Sequence, residues 1–137
     1  MSVFVDTSVW FSALNENDAR HADARRMLEG AEGLVTSDHI VVETWLLTNA
    51  RGGHAVADRF WEGLRRGIAR VEHATASDLE VAWHIGERFA DQGFSIVDRT
   101  SFAMMMRLGI THAASFDADF SVFRYGPKNR HAFDILR

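Results

Sequence analysis

Val3-Phe4-Val5-Asp6-Thr7-Ser8 opens the chain with three apolar residues that stop abruptly at an acid and two hydroxyls. A short unbroken apolar run of this kind reads as a strand buried on both faces, the pattern of a parallel sheet. Asp6 then stands at the carboxyl end of that strand, where open α/β sheets place their ligands. The same residue is also a good helix N-cap, because Asp-Thr-Ser is a common helix opening. Both readings of Asp6 stand at this point.

Outward from this stretch, strands and helices alternate. Thr7–Leu14 and Ala19–Leu28 read as helices, the second ending near Gly30. Leu34-Val35 reads as a strand, followed by the N-cap cluster Thr36-Ser37-Asp38 and a helix over Ile40–Thr48 that ends at Gly52-Gly53. His54–Leu64 is a helix, Ile68–Val71 a strand, and Ser77–Ala90 a helix opened by Ser77. Ser95, three residues before Asp98, resembles a capping box, and a helix runs from there to Gly109. His112–Ser115 is a fourth strand and Ala132–Ile135 a fifth. This alternation predicts a three-layer α/β/α sandwich around a mostly parallel central sheet of four or five strands. No repeat, linker or low-complexity segment interrupts residues 1–137, so one domain is expected.

Composition excludes several classes. There is no cysteine, hence no disulfide, thiolate nucleophile or Cys-based zinc site. The start lacks the basic segment of a signal peptide, and no apolar run is long enough to span a bilayer. A cytoplasmic protein with no membrane association is expected. The net charge of −4 lacks the usual basic footprint of a nucleic-acid binder. Acids clustered around a cation distort that measure, however, and fourteen of the fifteen basic residues are arginines, with Lys128 the single lysine. Arginine grips phosphate bidentately and stacks on bases.

Four acidic positions stand out. Asp6 follows a strand. Glu43 lies in Ile40-Val41-Val42-Glu43-Thr44-Trp45-Leu46-Leu47, a helix apolar nearly all round and therefore expected to be buried. A carboxylate there needs a partner or a metal, unless it sits on a narrow solvent stripe. Asp98 opens a largely apolar helix, where the macrodipole also favours an acid. Asp117 and Asp119 lie just past the fourth strand, and a cap accounts for one of them. Two strand ends and two helix segments can thus bring carboxylates to one sheet edge. Like charges so packed raise one another's pKa, and a cation relieves them. All-oxygen ligands suit Mg²⁺ or Mn²⁺, ions that activate water and orient phosphate.

Taken together, four segments resemble the motifs of the PIN-domain nucleases, and the resemblance spans essentially the whole chain. They are Val3–Ser8, Thr36-Ser37 with the helix carrying Glu43, Phe94–Ser101, and Ser115-Phe116-Asp117-Ala118-Asp119-Phe120. Their order and spacing are similar to the compact VapC-type toxins of bacterial toxin–antitoxin pairs. The resemblance implies an Mg²⁺- or Mn²⁺-dependent endoribonuclease whose metal-binding and catalytic quartet is Asp6, Glu43, Asp98 and Asp117. It also implies that Ser8 and Ser115 orient the acids, that Asp119 is an accessory acid, and that the partners are RNA, a cognate antitoxin and a second copy of the chain. A PIN-like module that binds without cutting is the rival reading; all four acids are present, which favours the enzyme.

Other chemistries fit less well. A haloacid-type phosphatase needs an acid where Ser8 stands, a receiver domain needs a late lysine after a strand that Lys128 does not supply, and no Walker loop occurs. His39, one helical turn before Glu43, is within reach of the same site or is structural. Arg99 beside Asp98 reads as a phosphate contact or a surface ion pair, and the four Trp as core or interface, with Trp10 or Trp61 a candidate lining for a protein-binding groove.

Overall fold

The computed structural model describes residues 1–137. Five strands, β1 (Ser2–Val5), β2 (Gly33–Ser37), β3 (Arg70–Glu72), β4 (His112–Ala114) and β5 (Asp134–Ile135), form one sheet in the order β3-β2-β1-β4-β5. Every neighbouring pair is parallel. Val3, Phe4 and Val5 are buried, as the covered central strand of a parallel sheet requires.

The strand order fixes the layers. β1 to β2 to β3 steps one way through helices α1 (Thr7–Leu14), α2 (His21–Gly30), α3 (Asp38–Gly52) and α4 (His54–Arg65). β3 then crosses back to β4 through α5 (Ala76–Arg88) and α6 (Ile96–Leu108), and β4 reaches β5 through α7 (Asp119–Val122). Right-handed crossovers in opposite directions put α1–α4 on one face and α5–α7 on the other. The contacts agree: α1, α2, α3 and α4 pack among themselves, as do α5, α6 and α7. The reversal of direction falls between β1 and β4, the position where open sheets form a ligand crevice.

Several boundaries shift for local reasons. The third strand covers Arg70–Glu72 rather than Ile68–Val71, because Ile68 lies 59% exposed before the pairing begins. The last strand shrinks to Asp134–Ile135. α5 is opened by Thr75, not Ser77: the Thr75 side chain accepts from Asp78 N–H and the Asp78 carboxylate accepts from Thr75 N–H, a complete capping box. At Ser95 only half of that box exists, since Ser95 Oγ accepts from Asp98 N–H and the Asp98 carboxylate does not return to the cap. Gly109, at φ +68°, ends α6 where a left-handed residue is required.

The helix of Glu43 is not buried all round. Val42 and Leu46, one turn apart, are 59% and 58% exposed, while Ile40, Thr44 and Thr48 face the interior. Trp10 is core, but Trp61 and Trp83 are exposed.

Candidate metal centre and active site

Asp6 leaves β1 at the crevice. Its backbone N–H donates to Ala114 O across the sheet at 3.0 Å, which locks the ends of β1 and β4 side by side. Asp6 does cap α1, as one reading of the sequence allowed. Yet its three hydrogen bonds, from Ser8 N–H (3.4 Å), Ser8 Oγ (2.8 Å) and Ser115 Oγ (3.1 Å), all converge on Oδ2. Oδ1 is left for the crevice. Burial pushes the Asp6 carboxyl above its ordinary value, the two hydroxyls partly offset this, and the charge of Glu43 adds to it.

The hydroxyls also shape the segment after β4. Ser8 Oγ accepts from Phe116 N–H (2.9 Å), Ser115 Oγ accepts from Asp117 N–H (3.0 Å), and Asp117 Oδ1 accepts from Asp119 N–H (2.9 Å). This turn aims Asp117 and Asp119 at α6. There Asp98 stands one turn before Phe102, which is fully buried and stacks on Phe123 with ring centroids 4.4 Å apart. The aromatic core thereby fixes the start of α6. Carboxylate oxygens of Asp98, Asp117 and Asp119 lie within 4.8 Å of one another.

Asp98 carries the electrostatic consequence. Burial, then the charges of Asp117 and Asp6, then a hydrogen bond and charge from Asp119, push its carboxyl up to about 8. No Lys, Arg or His forms an ion pair with Asp6, Glu43, Asp98, Asp117 or Asp119. Close carboxylates without a counter-cation, contributing only oxygen donors, suit a hard divalent ion.

The structure therefore brings Asp6, Asp98, Asp117 and Asp119 to one crevice, with half-buried Glu43 close enough to act on Asp6. Ser8 and Ser115 hold Asp6 and the turn after β4. Asp119 enters the cluster as fully as Asp117 does. The family resemblance made it an accessory acid below Asp117, and the residues themselves, two acids in one loop, carry no signal that separates them.

The sequence profile of the PIN domain matches residues 3–124. The chain belongs to the PIN-domain family. Among curated PIN-family relatives, the 23S rRNA-specific endonuclease VapC20 of Mycobacterium tuberculosis is 43% identical over 120 residues, spanning 87% of this chain and 92% of the relative. The crystal structure of that protein, described as a sarcin–ricin loop cleaving toxin, superposes with a TM-score of 0.82 at 42% identity, covering 88% of this chain and 93% of the other. FitAcB from Neisseria gonorrhoeae shares the fold, with a TM-score of 0.66 at 15% identity and coverage of 86% and 88%. These likenesses place the chain in the VapC-like branch of the PIN family.

His39 does not join the acids. Its ring is held between Ser37 Oγ, 2.6 Å from Nδ1, and Ser101 Oγ, 3.0 Å from Nε2. Ser37 Oγ also accepts from Ile40 N–H, so one hydroxyl joins the ring to the first turn of α3. Burial lowers its pKa, opposed by the charge of Asp38. The ring joins the start of α3 to the helix that carries Asp98. His39→Ala is expected to lower stability by about 1–2 kcal/mol at pH 8, read from urea denaturation. The neutral ring's contribution should disappear as pH falls below the ordinary imidazole value, so the difference between variant and parent narrows in acid. A difference that is constant with pH would count against this account.

Proposed function

We propose that this chain is the endoribonuclease toxin of a toxin–antitoxin pair and that it cuts the sarcin–ricin loop of 23S ribosomal RNA. The observation that carries the nuclease reading is the convergence of unpaired carboxylates at the β1–β4 crevice. The RNA target rests on the 43% identity to a relative named for 23S rRNA.

In this reading Asp98, Asp117 and Asp119 would hold Mg²⁺ or Mn²⁺, with the Asp6 carboxylate beside them. When bound, the ion would supply Lewis acidity at a phosphate and lower the pKa of water. Ser8 and Ser115 keep Asp6 from rotating by holding Oδ2. Glu43 takes the proton from the attacking water. The new bond forms between that water's oxygen and phosphorus, the bond to the 3′ oxygen breaks, and the products are a 5′-phosphate and a 3′-hydroxyl. The 3′ oxygen leaves with a proton drawn from solvent water in the open crevice.

The test is direct. Purified protein incubated with ribosomes and Mg²⁺ or Mn²⁺ is expected to give a single 23S cut with a 5′-phosphate end, silenced by a chelator and restored by adding the ion back. Undiminished cutting in chelator would remove the metal-held acids from the mechanism. RNA bound but left intact would favour the non-cutting module.

A groove of about 650 Å³ opens between α3 and α4, lined by Val41, Val42, Trp45, Leu46 and Trp61. Exposed apolar surface of this kind marks a protein-binding face. We assign it to the cognate antitoxin. Trp61→Glu is expected to abolish co-purification with the product of the adjacent upstream reading frame. Retained co-purification would move the antitoxin elsewhere.

A further inference from the structure

The turn between α1 and α2 is tightly tied. Asn17 N–H donates to Asn15 Oδ1 (3.1 Å), Arg20 N–H donates to Asp18 Oδ1 (2.8 Å), and His21 Nδ1 donates to Ser12 O (2.8 Å). These bonds fix the backbone at Arg20, whose guanidinium lies over the ring of Phe116, 4.6 Å from its centroid. Phe116 immediately precedes Asp117, and its N–H is held by Ser8, the residue that orients Asp6. Arg20 is thus seated on the wall of the acidic crevice.

Its charge is nevertheless uncommitted. The side chain is 51% exposed, makes no side-chain hydrogen bond, and meets a single carboxylate, Asp18, only at 4.0 Å. The other arginines on site-bearing elements lie against the protein in other ways. Arg99 lies across Gly86, with Nε bonded to Ser95 O. Arg124 donates to Ser121 O, Val122 O and Phe123 O. Arg107 is bound to Asp78. A free arginine beside unpaired carboxylates would ordinarily swing in and neutralise them. Stacking on Phe116 holds it at the rim and leaves its planar set of N–H donors facing solvent.

We infer that Arg20, presented by Phe116, is a subsite for a backbone phosphate of the RNA strand next to the bond being cut. This rests on the nuclease reading only for what lies beside it; the phosphate contact can be measured without cleavage. Such a contact adds affinity and carries no sequence information.

The experiment measures binding of a fluorescein-labelled sarcin–ricin stem-loop RNA by anisotropy, with Mg²⁺ present and in an Asp98→Asn background so that the RNA stays intact. Adding Arg20→Ala is expected to weaken binding roughly tenfold and to reduce the slope of log affinity against log salt by about one. A stem-loop of scrambled loop sequence should lose as much. Arg20→Lys keeps the charge and should restore the slope. Phe116→Leu combined with Arg20→Ala should be no weaker than Arg20→Ala alone, since the ring acts through the guanidinium. Unchanged affinity and slope in Arg20→Ala would overturn the proposal, as would no RNA binding by the parent. Wild-type protein that fails to cut RNA while Arg20→Ala still weakens binding would sink the nuclease reading and leave this subsite standing.

Discussion

Asp98→Asn is expected to abolish RNA cleavage and, at neutral pH without metal, to make the protein more stable than its parent. The second half of that result separates a metal site from an ordinary buried acid. The Asp98 carboxyl is pushed up to about 8 by burial and then by the charges of Asp117 and Asp6. In the unfolded chain it titrates near 3.8. A group whose folded pKa lies above its unfolded value stabilises the fold fully below the lower value and loses that contribution as pH rises towards the higher one. Relative to the Asn variant, which has nothing to ionise at this position, the metal-free parent should therefore lose stability steadily between about pH 4 and pH 8. Adding Mg²⁺ reverses the ranking. The ion competes with protons for the same oxygens, so its affinity rises with pH and it restores the parent but not the variant. Asp6→Asn should act likewise, since its carboxyl is also raised by burial. Thermal melts across pH, with and without Mg²⁺, read all of this. A stability difference between parent and Asn variant that stays constant from pH 4 to pH 8 without metal would show that the acids do not strain one another.

The sheet and the acidic crevice were largely legible in the sequence because both depend on local pattern. Val3-Phe4-Val5 ending at Asp6, and the acids placed after His112–Ser115 and at the start of a helix after Ser95, are strings that a parallel sheet converts into one edge. What escaped depends on contacts between distant segments. The all-apolar stretch of α3 looks the same whether its outer face is covered by core or left open, so Val42 and Leu46 read as buried when they are exposed. Arg20 sits in a polar turn, and nothing nearby signals that it rests on Phe116. The choice of Thr75 over Ser77 as the cap of α5 turned on Asp78, an acid that also has a partner 29 residues away.

That partner sets the second large effect. Arg107, on the last turn of α6, grips Asp78 with Nε at 2.9 Å from Oδ1 and Nη2 at 2.9 Å from Oδ2, and spans to His73 O at 3.2 Å. The pair ties α6 to the entry of α5, far from the acids but on the helix that presents Asp98. Asp78 is almost fully buried. Burial alone would raise its pKa, but the Arg107 guanidinium and the Thr75 N–H and hydroxyl outweigh it and hold the carboxyl below its ordinary value. Removing Arg107 takes the main partner from a buried carboxylate, but the guanidinium is 37% exposed and solvent can partly replace it, so Arg107→Ala should destabilise by about 1–3 kcal/mol, lowering Tm by several degrees. Asp78→Ala should lose a similar amount through the cap and the pair together, while the double variant loses clearly less than the sum of the two. The sign with pH is opposite to that of Asp98: the contribution of Asp78 is complete above its unfolded value and disappears as pH falls through the lower, folded one. Between them these two groups favour weak acid in the metal-free protein, Asp78 losing its contribution as it takes up a proton and Asp98 as it gives one up, while His39 pulls towards neutral pH. Losing Arg107 should steepen neither the alkaline slope nor its Mg²⁺ response, because the acidic crevice is untouched. Additive single and double variants would mean that the ion pair is incidental to how α5 and α6 are held.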